Sequence, residues 1–215
     1  MAHDLKALIA VLNPACRQSL EDAAAMCVEW GHYTIELEHF LVRLLRRKNS
    51  DLQAILSHFG VEPAKIEEEL KQALSTLRAG NKRVPTFSDH IPQALQEAWL
   101  ISSLQLGGWR VRSGAILLAL RTAEGVRDLI AKSAPSLRRI DPDRLRDELA
   151  DLVRSTSETA SAQAGPGPPP PPPAPHPPTP PPPQPPPPPP ATHRPPHPPP
   201  PPTPPAPRPT HPPRR

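Results

Sequence analysis

The sequence is short of aromatic residues, cysteines and long apolar runs. Seven aromatic side chains serve 215 residues, there are two cysteines, and nine glycines are scattered rather than clustered. No stretch approaches the roughly 18 apolar residues of a membrane-spanning helix. The run Leu8–Leu12 is too short for a signal-peptide core and is flanked by Asp4 and Lys6, so a cytoplasmic protein is expected. No Gly-Lys-Ser/Thr follows any glycine, so the backbone cradle and lysine that hold nucleotide phosphates are missing. Cys16 and Cys27 are 11 residues apart on one expected helix, roughly 16 Å along its axis. That spacing excludes a disulfide within the helix and points to two small buried thiols in a reducing compartment.

Absences also divide the chain. Leu, Ile, Val and Phe do not occur beyond residue 165, and no acid occurs beyond Glu158. Of 39 prolines, 33 lie in residues 166–215. Such a segment cannot bury a core, and polyproline favours an extended helix of about 3.1 Å per residue. Acids and bases balance before residue 159. The net charge of +4 therefore sits on Arg194, Arg208, Arg214 and Arg215, and no nucleic-acid partner is expected. Residues 1–157 read as one globular domain and 158–215 as a disordered Ala/Pro-rich tail. That tail is either a flexible spacer or the product of a linker remnant or shifted reading frame. It contains Pro209-Thr-His-Pro-Pro-Arg214, a P-x-x-P-x-Arg match that proline-rich composition produces by chance.

The front is all-α by its periodicity. Leu5, Leu8, Ile9 and Leu12 line one face of a first helix over about 4–12. Asn13-Pro14 caps and opens a second, with Cys16, Leu20, Ala23, Ala24 and Cys27 on its apolar face. Thr34 is expected to cap a third, and Ser50-x-x-Gln53 to form a capping box for a fourth that Gly60 ends. Pro63 opens a fifth. Ser88 caps a helix to about 106, Ser113 one over 114–124, and a short helix covers 126–133. Asp141-Pro142 opens a last one to about 154. No segment alternates long enough to argue for a strand.

Residues 12–45 and 87–120 read alike. Leu20-Glu-Asp-Ala23 matches Leu95-Gln-Glu-Ala98. After a one-residue gap, Tyr33, Ile35, Phe40, Leu41 and Leu44 match Trp109, Val111, Ile116, Leu117 and Leu120. Two helix–turn–helix units, each with one apolar face, are expected to pack as a pseudo-two-fold bundle.

The segments Thr34-Ile-Glu-Leu-Glu-His-Phe-Leu41 and Val111-Arg-Ser-Gly-Ala-Ile-Leu-Leu-Ala-Leu120 resemble the Clp amino-terminal repeat domain at the front of Clp/Hsp100 AAA+ unfoldases. The stretches starting at Leu12, Leu95 and Arg110 are most similar to its ClpV (TssH) branch from type VI secretion. The resemblance covers about residues 4–157. It implies a binding module that takes a short amphipathic helix of the sheath subunit TssC (VipB), with no cofactor and no catalysis in this chain. It implies a groove walled by Leu5, Leu8, Ile9 and Leu12 on one side and by Thr86, Phe87, Ile91 and Leu95 on the other. Plain core packing of the first helix, and a hydrophobic staple from Phe87 to Ile91 or Pro92, stand beside that reading. A monomer is expected, since the resembled enzymes assemble through ATPase rings. Two other functions stay open: a truncated or frameshifted ClpV-type ATPase gene, and a free-standing adaptor tethered by its tail. Glu38-His39 reads as structural rather than as an acid/base pair, because adjacent helical residues face about 100° apart. His32 and His39 lack zinc-ligand spacing.

Overall fold

A computed structural model describes residues 5–163; the proline-rich segment, including the Pro209–Arg214 match, lies outside the described residues. Helices α1 (Leu5–Ala10) and α2 (Pro14–Glu29) lead into strand β1 (Thr34–Ile35), then α3 (Leu37–Leu45), α4 (Asp51–His58) and α5 (Pro63–Ser75). Strand β2 (Thr86–Phe87) precedes α6 (His90–Leu104), α7 (Ser113–Thr122) and α8 (Arg127–Ser133). A 3-10 turn (Pro135–Arg139), α9 (Pro142–Leu152) and α10 (Glu158–Gln163) complete the described residues. The described residues are thus mostly helical, in the double-repeat arrangement the periodicity implies.

Proline-plus-cap signals translate directly into geometry. Asn13 Oδ1 accepts from Cys16 N at 2.7 Å, and Asp141 Oδ1 accepts from Arg144 N at 2.8 Å, each just ahead of a proline at the first helical position. Ser50 Oγ accepts from Gln53 N at 3.3 Å, but Gln53 does not complete the box. Its Nε2 donates to the Leu45 carbonyl at 2.6 Å, tying off the end of α3 instead.

Three expected caps are displaced: Ser88 stands one residue ahead of Asp89, the N-cap of α6, and one feature displaces the other two, Thr34 and Ser113. Thr34 lies in β1, paired in parallel with Thr86, while Ile35 pairs with Phe87. Helix α3 therefore starts later, from Glu36, and Ser113 is already helical because Val111 is bridged to Leu12. These short pairings carry the pseudo-symmetry. Ser88 N donates to Ile35 O at 3.1 Å, and Asn13 N donates to Val111 O at 3.0 Å. Each repeat's inner strand thus binds the segment that enters the other repeat. Two-residue strands have no readable alternation, which is why periodicity misses them. The bridge also shortens α1, because Leu12 leaves the helix to reach Val111.

The core gathers the apolar faces of both repeats. Phe40, Leu41 and Leu44 from α3 and Ile116, Leu117 and Leu120 from α7 are all buried, and α7 is buried along most of its length. Helix α7 packs against α4, α6, α8 and α9. Gly114 permits this closeness. A Cβ there would stand 3.0 Å from Asp51 Cβ and 3.2 Å or less from Val153 and Leu149 side-chain carbons.

The folded segment continues past residue 157. Glu158 is buried and its carboxylate meets three helix starts. Oε2 accepts from Asn13 Nδ2 at 2.6 Å and from Ser113 N at 2.8 Å; Oε1 accepts from Asp51 N at 3.0 Å and from the Ser113 hydroxyl. Alongside, Arg112 grips Asp51 with a two-pronged fork, Nε to Oδ2 at 2.7 Å and Nη2 to Oδ1 at 2.8 Å. The same Nη2 also donates to the Val153 carbonyl at 2.8 Å. Burial pushes the Asp51 carboxyl above its ordinary value, and the Arg112 fork opposes that push.

Glu158→Ala strips the acceptor from four buried donors at three helix starts. It is expected to cost about 3 kcal/mol or more and to lower the thermal midpoint by roughly 10 °C. Gly114→Ala is expected to cost about 1–3 kcal/mol by overpacking. Thermal and urea unfolding of each variant against the parent chain checks both.

Candidate functional site

Helix α1 lies against α6, yet none of its six residues is fully buried. Its apolar stripe packs on the core by one edge only: Leu5, Leu8 and Ile9 are half-buried. Six residues are too few to hold a helix in water, so α1 depends on this contact and on the Leu12–Val111 bridge at its end.

The eight residues expected to wall a groove divide into two groups. Leu12, Ile91 and Leu95 are 0–1% exposed and belong to the core, so they offer no surface to a ligand. Leu5, Leu8, Ile9 and Phe87 are half-buried and Thr86 is exposed, so these five offer surface. Phe87 sits in β2 at the entry to α6, with Pro92 in the first turn of that helix as expected.

A further apolar cleft of about 220 Å³ opens at the other end of α1, lined by Ala10, Val11, Trp99, Trp109 and Arg110. Trp99 continues the Ile91, Leu95 stripe by another four residues, and Trp109 occupies the place of Tyr33 in the first repeat. Both signals were readable, but nothing in the sequence brings residue 99 to residue 11. Tyr33 and Trp109 are both exposed, at 44% and 60%.

The charged and thiol candidates have structural partners. Glu38 is buried and accepts from Ser133 Oγ at 2.5 Å, tying α3 to α8. His39 Nδ1 accepts from Glu36 N at 3.0 Å and caps α3. Its proton therefore sits on Nε2, which faces His32 Nδ1 at 2.9 Å and donates to it. Burial holds the His39 imidazole down to about 4, and His32 beside it adds to the effect; burial also lowers His32. Burial pushes the Cys27 thiol up to about 11, with Glu36 adding, and raises buried Cys16 well above its ordinary value. Neither is a reactive thiolate. Among the described residues no three metal-binding side chains converge, and no helix is long and apolar enough to cross a membrane.

Comparison with known proteins decides the family. The model of the Clp repeat (R) N-terminal domain matches residues 12–133, which takes in both halves of the pseudo-symmetric bundle. The chain belongs to the Clp repeat (R) N-terminal domain family.

The chaperone protein ClpB of Yersinia enterocolitica is 31% identical over 159 residues, covering 74% of this chain and 18% of its own length. The AAA+ ATPase ClpV1 of Pseudomonas aeruginosa is 25% identical over 152 residues, covering 71% of this chain and 17% of its own. The chain thus spans under a fifth of the length of these curated relatives. A solved complex of a ClpV N-domain with a VipB peptide superposes with a TM-score of 0.60 at 34% identity, over 73% of this chain and 95% of that one.

In this Clp repeat domain the His32–His39 pair sets a pH dependence. Unfolded, His39 titrates near 6.5; folded, it stays neutral down to about 4. The unfolded chain takes up the proton first as pH falls. Stability from this site is complete above pH 6.5 and is lost as pH drops toward 4. His39→Gln keeps an acceptor at the cap and removes the titration. Urea unfolding from pH 7 to pH 4 is expected to show a shallower loss in the variant than in the parent.

Proposed function

We propose that this Clp repeat domain is the substrate-recognition module of a ClpV-type ATPase of type VI secretion. It takes a short amphipathic helix from a TssC (VipB) sheath subunit into the trough between α1 and the start of the second repeat. The observation that carries this reading is the half-buried apolar stripe of α1, Leu5, Leu8 and Ile9, beside α6, with Phe87 at the entry to that helix. A helix face left half-covered by its own fold is a surface for another helix. Likeness to the ClpV N-domain bound to a VipB peptide supports the same reading. The ATPase activity named for ClpV1 is not carried over, because the match spans 17% of that protein. In this reading one copy of the domain, in the cytoplasm, binds one peptide without a cofactor.

Calorimetry of the full chain with a peptide of the VipB N-terminal helix tests it. One-to-one binding is expected. Leu8→Asp and Phe87→Ala are each expected to weaken it at least about ten-fold, or ~1.4 kcal/mol. Val28→Asp, at an exposed position on α2, is expected to leave it unchanged. Absence of binding, or equal binding by the groove variants, rejects the reading.

A further inference from the structure

Two arginines meet at the end of α1 with no ion-pair partner among the described residues. Arg17 Nη2 donates to the Ala10 carbonyl at 2.9 Å, and Arg110 Nη1 reaches the same oxygen at 3.5 Å and the Leu12 carbonyl at 3.4 Å. Sharing one acceptor brings the two guanidinium groups next to each other. Neither forms an ion pair with a described residue, although surface arginines elsewhere in the chain do so repeatedly. Arg17 Nε is shielded from solvent and has no hydrogen-bond partner. Both side chains line a cavity of about 410 Å³, with Leu12, Pro14, Gln18, Glu21 and Ser161.

We propose that this cavity is a carboxylate subsite, which reads an acidic group on the peptide whose apolar side chain enters the neighbouring tryptophan cleft. Like charges side by side favour an anion between them. The cavity is open to the guanidinium Nη groups of both arginines, and planar guanidinium donors match a carboxylate's two oxygens. Arg110 also lines the cleft of Trp99, Trp109 and Val11, so the cationic and apolar sites are continuous through one side chain. Glu21 on the cavity wall sets the limit. A monoanionic carboxylate is accepted between the arginines, whereas a phosphate dianion meets a fixed negative charge. The role of the subsite in partner selection rests on the peptide-binding reading; its existence does not.

N-acetyl-leucine and N-acetyl-leucinamide serve as probes, since they differ only in the carboxylate. Each is titrated into the full chain while the three tryptophan indole N–H signals and the arginine Nε–H signals are followed by NMR. N-acetyl-leucine is expected to shift Trp99, Trp109, Arg17 and Arg110 saturably, to leave Trp30 unmoved, and to bind at least five-fold tighter than the amide. Arg17→Gln and Arg110→Gln are expected to abolish that difference. Arg→Lys at either position, which keeps charge but not the fork, is expected to retain only part of it. Thermal midpoints confirm that the variants fold. Equal binding of acid and amide, a difference that survives in both Gln variants, or phosphate binding as tightly as N-acetyl-leucine overturns the proposal. The VipB-helix titration is independent: its failure with the subsite intact rejects the sheath reading and leaves the carboxylate site standing.

Discussion

One buried carboxylate governs how the two repeats close on each other. Glu158 accepts hydrogen bonds at the starts of α2, α4 and α7 together, through Asn13, Asp51 and Ser113. Helix starts carry unsatisfied N–H groups and a partial positive charge, so three of them converging inside a protein demand an anion. Such an anion is costly to bury unless its lone pairs are used, and here both oxygens are. The adjacent Arg112–Asp51 fork holds α4 against α7 and, through the Val153 carbonyl, against the end of α9. Gly114 is part of the same constraint, since only the absence of a Cβ lets α7 approach Asp51 this closely.

The placement of α1 follows from that closure. Leu12 can pair with Val111 only if the start of α2 is held at the start of α7, which is where Glu158 bridges Asn13 and Ser113. The bridge pins the end of α1 and leaves its apolar stripe leaning on α6 without being covered. At the symmetric place in the other repeat, β1 and β2 pair, and Phe87 is held at the entry to α6 by that register. A helix too short to stand alone is thereby presented as a half-open wall. The arginines at its end, Arg17 and Arg110, are drawn together by the carbonyl oxygens that α1 leaves free as it stops.

Legibility in the sequence depended on the range of the interaction. Asn13-Pro14 and Asp141-Pro142 were readable because a cap is completed within three residues. The doubled apolar pattern was readable because each helix repeats its own face every three to four residues. Thr34 and Ser113 were misplaced because strand pairing moved the helix starts, and a two-residue strand leaves no periodic trace. Glu158 reads as part of the tail because its neighbours are small and polar, while the partners of its carboxylate all lie at least 45 residues away. Of the residues expected to wall a groove, Ile91 and Leu95 are inaccessible because the strongest apolar positions of a helical period go to the core.

By itself the sequence determined an all-α double repeat, the caps that start α2 and α9, and the family to which the domain belongs. These rest on local hydrogen bonding and helical period, which operate over a few residues. Only the tertiary structure decided that a glutamate after the last long helix closes the bundle, that Trp99 and Trp109 meet the end of α1, and that two arginines from different repeats share one carbonyl. Those are contacts between residues far apart in the chain, and their free energy exists only once the helices are packed.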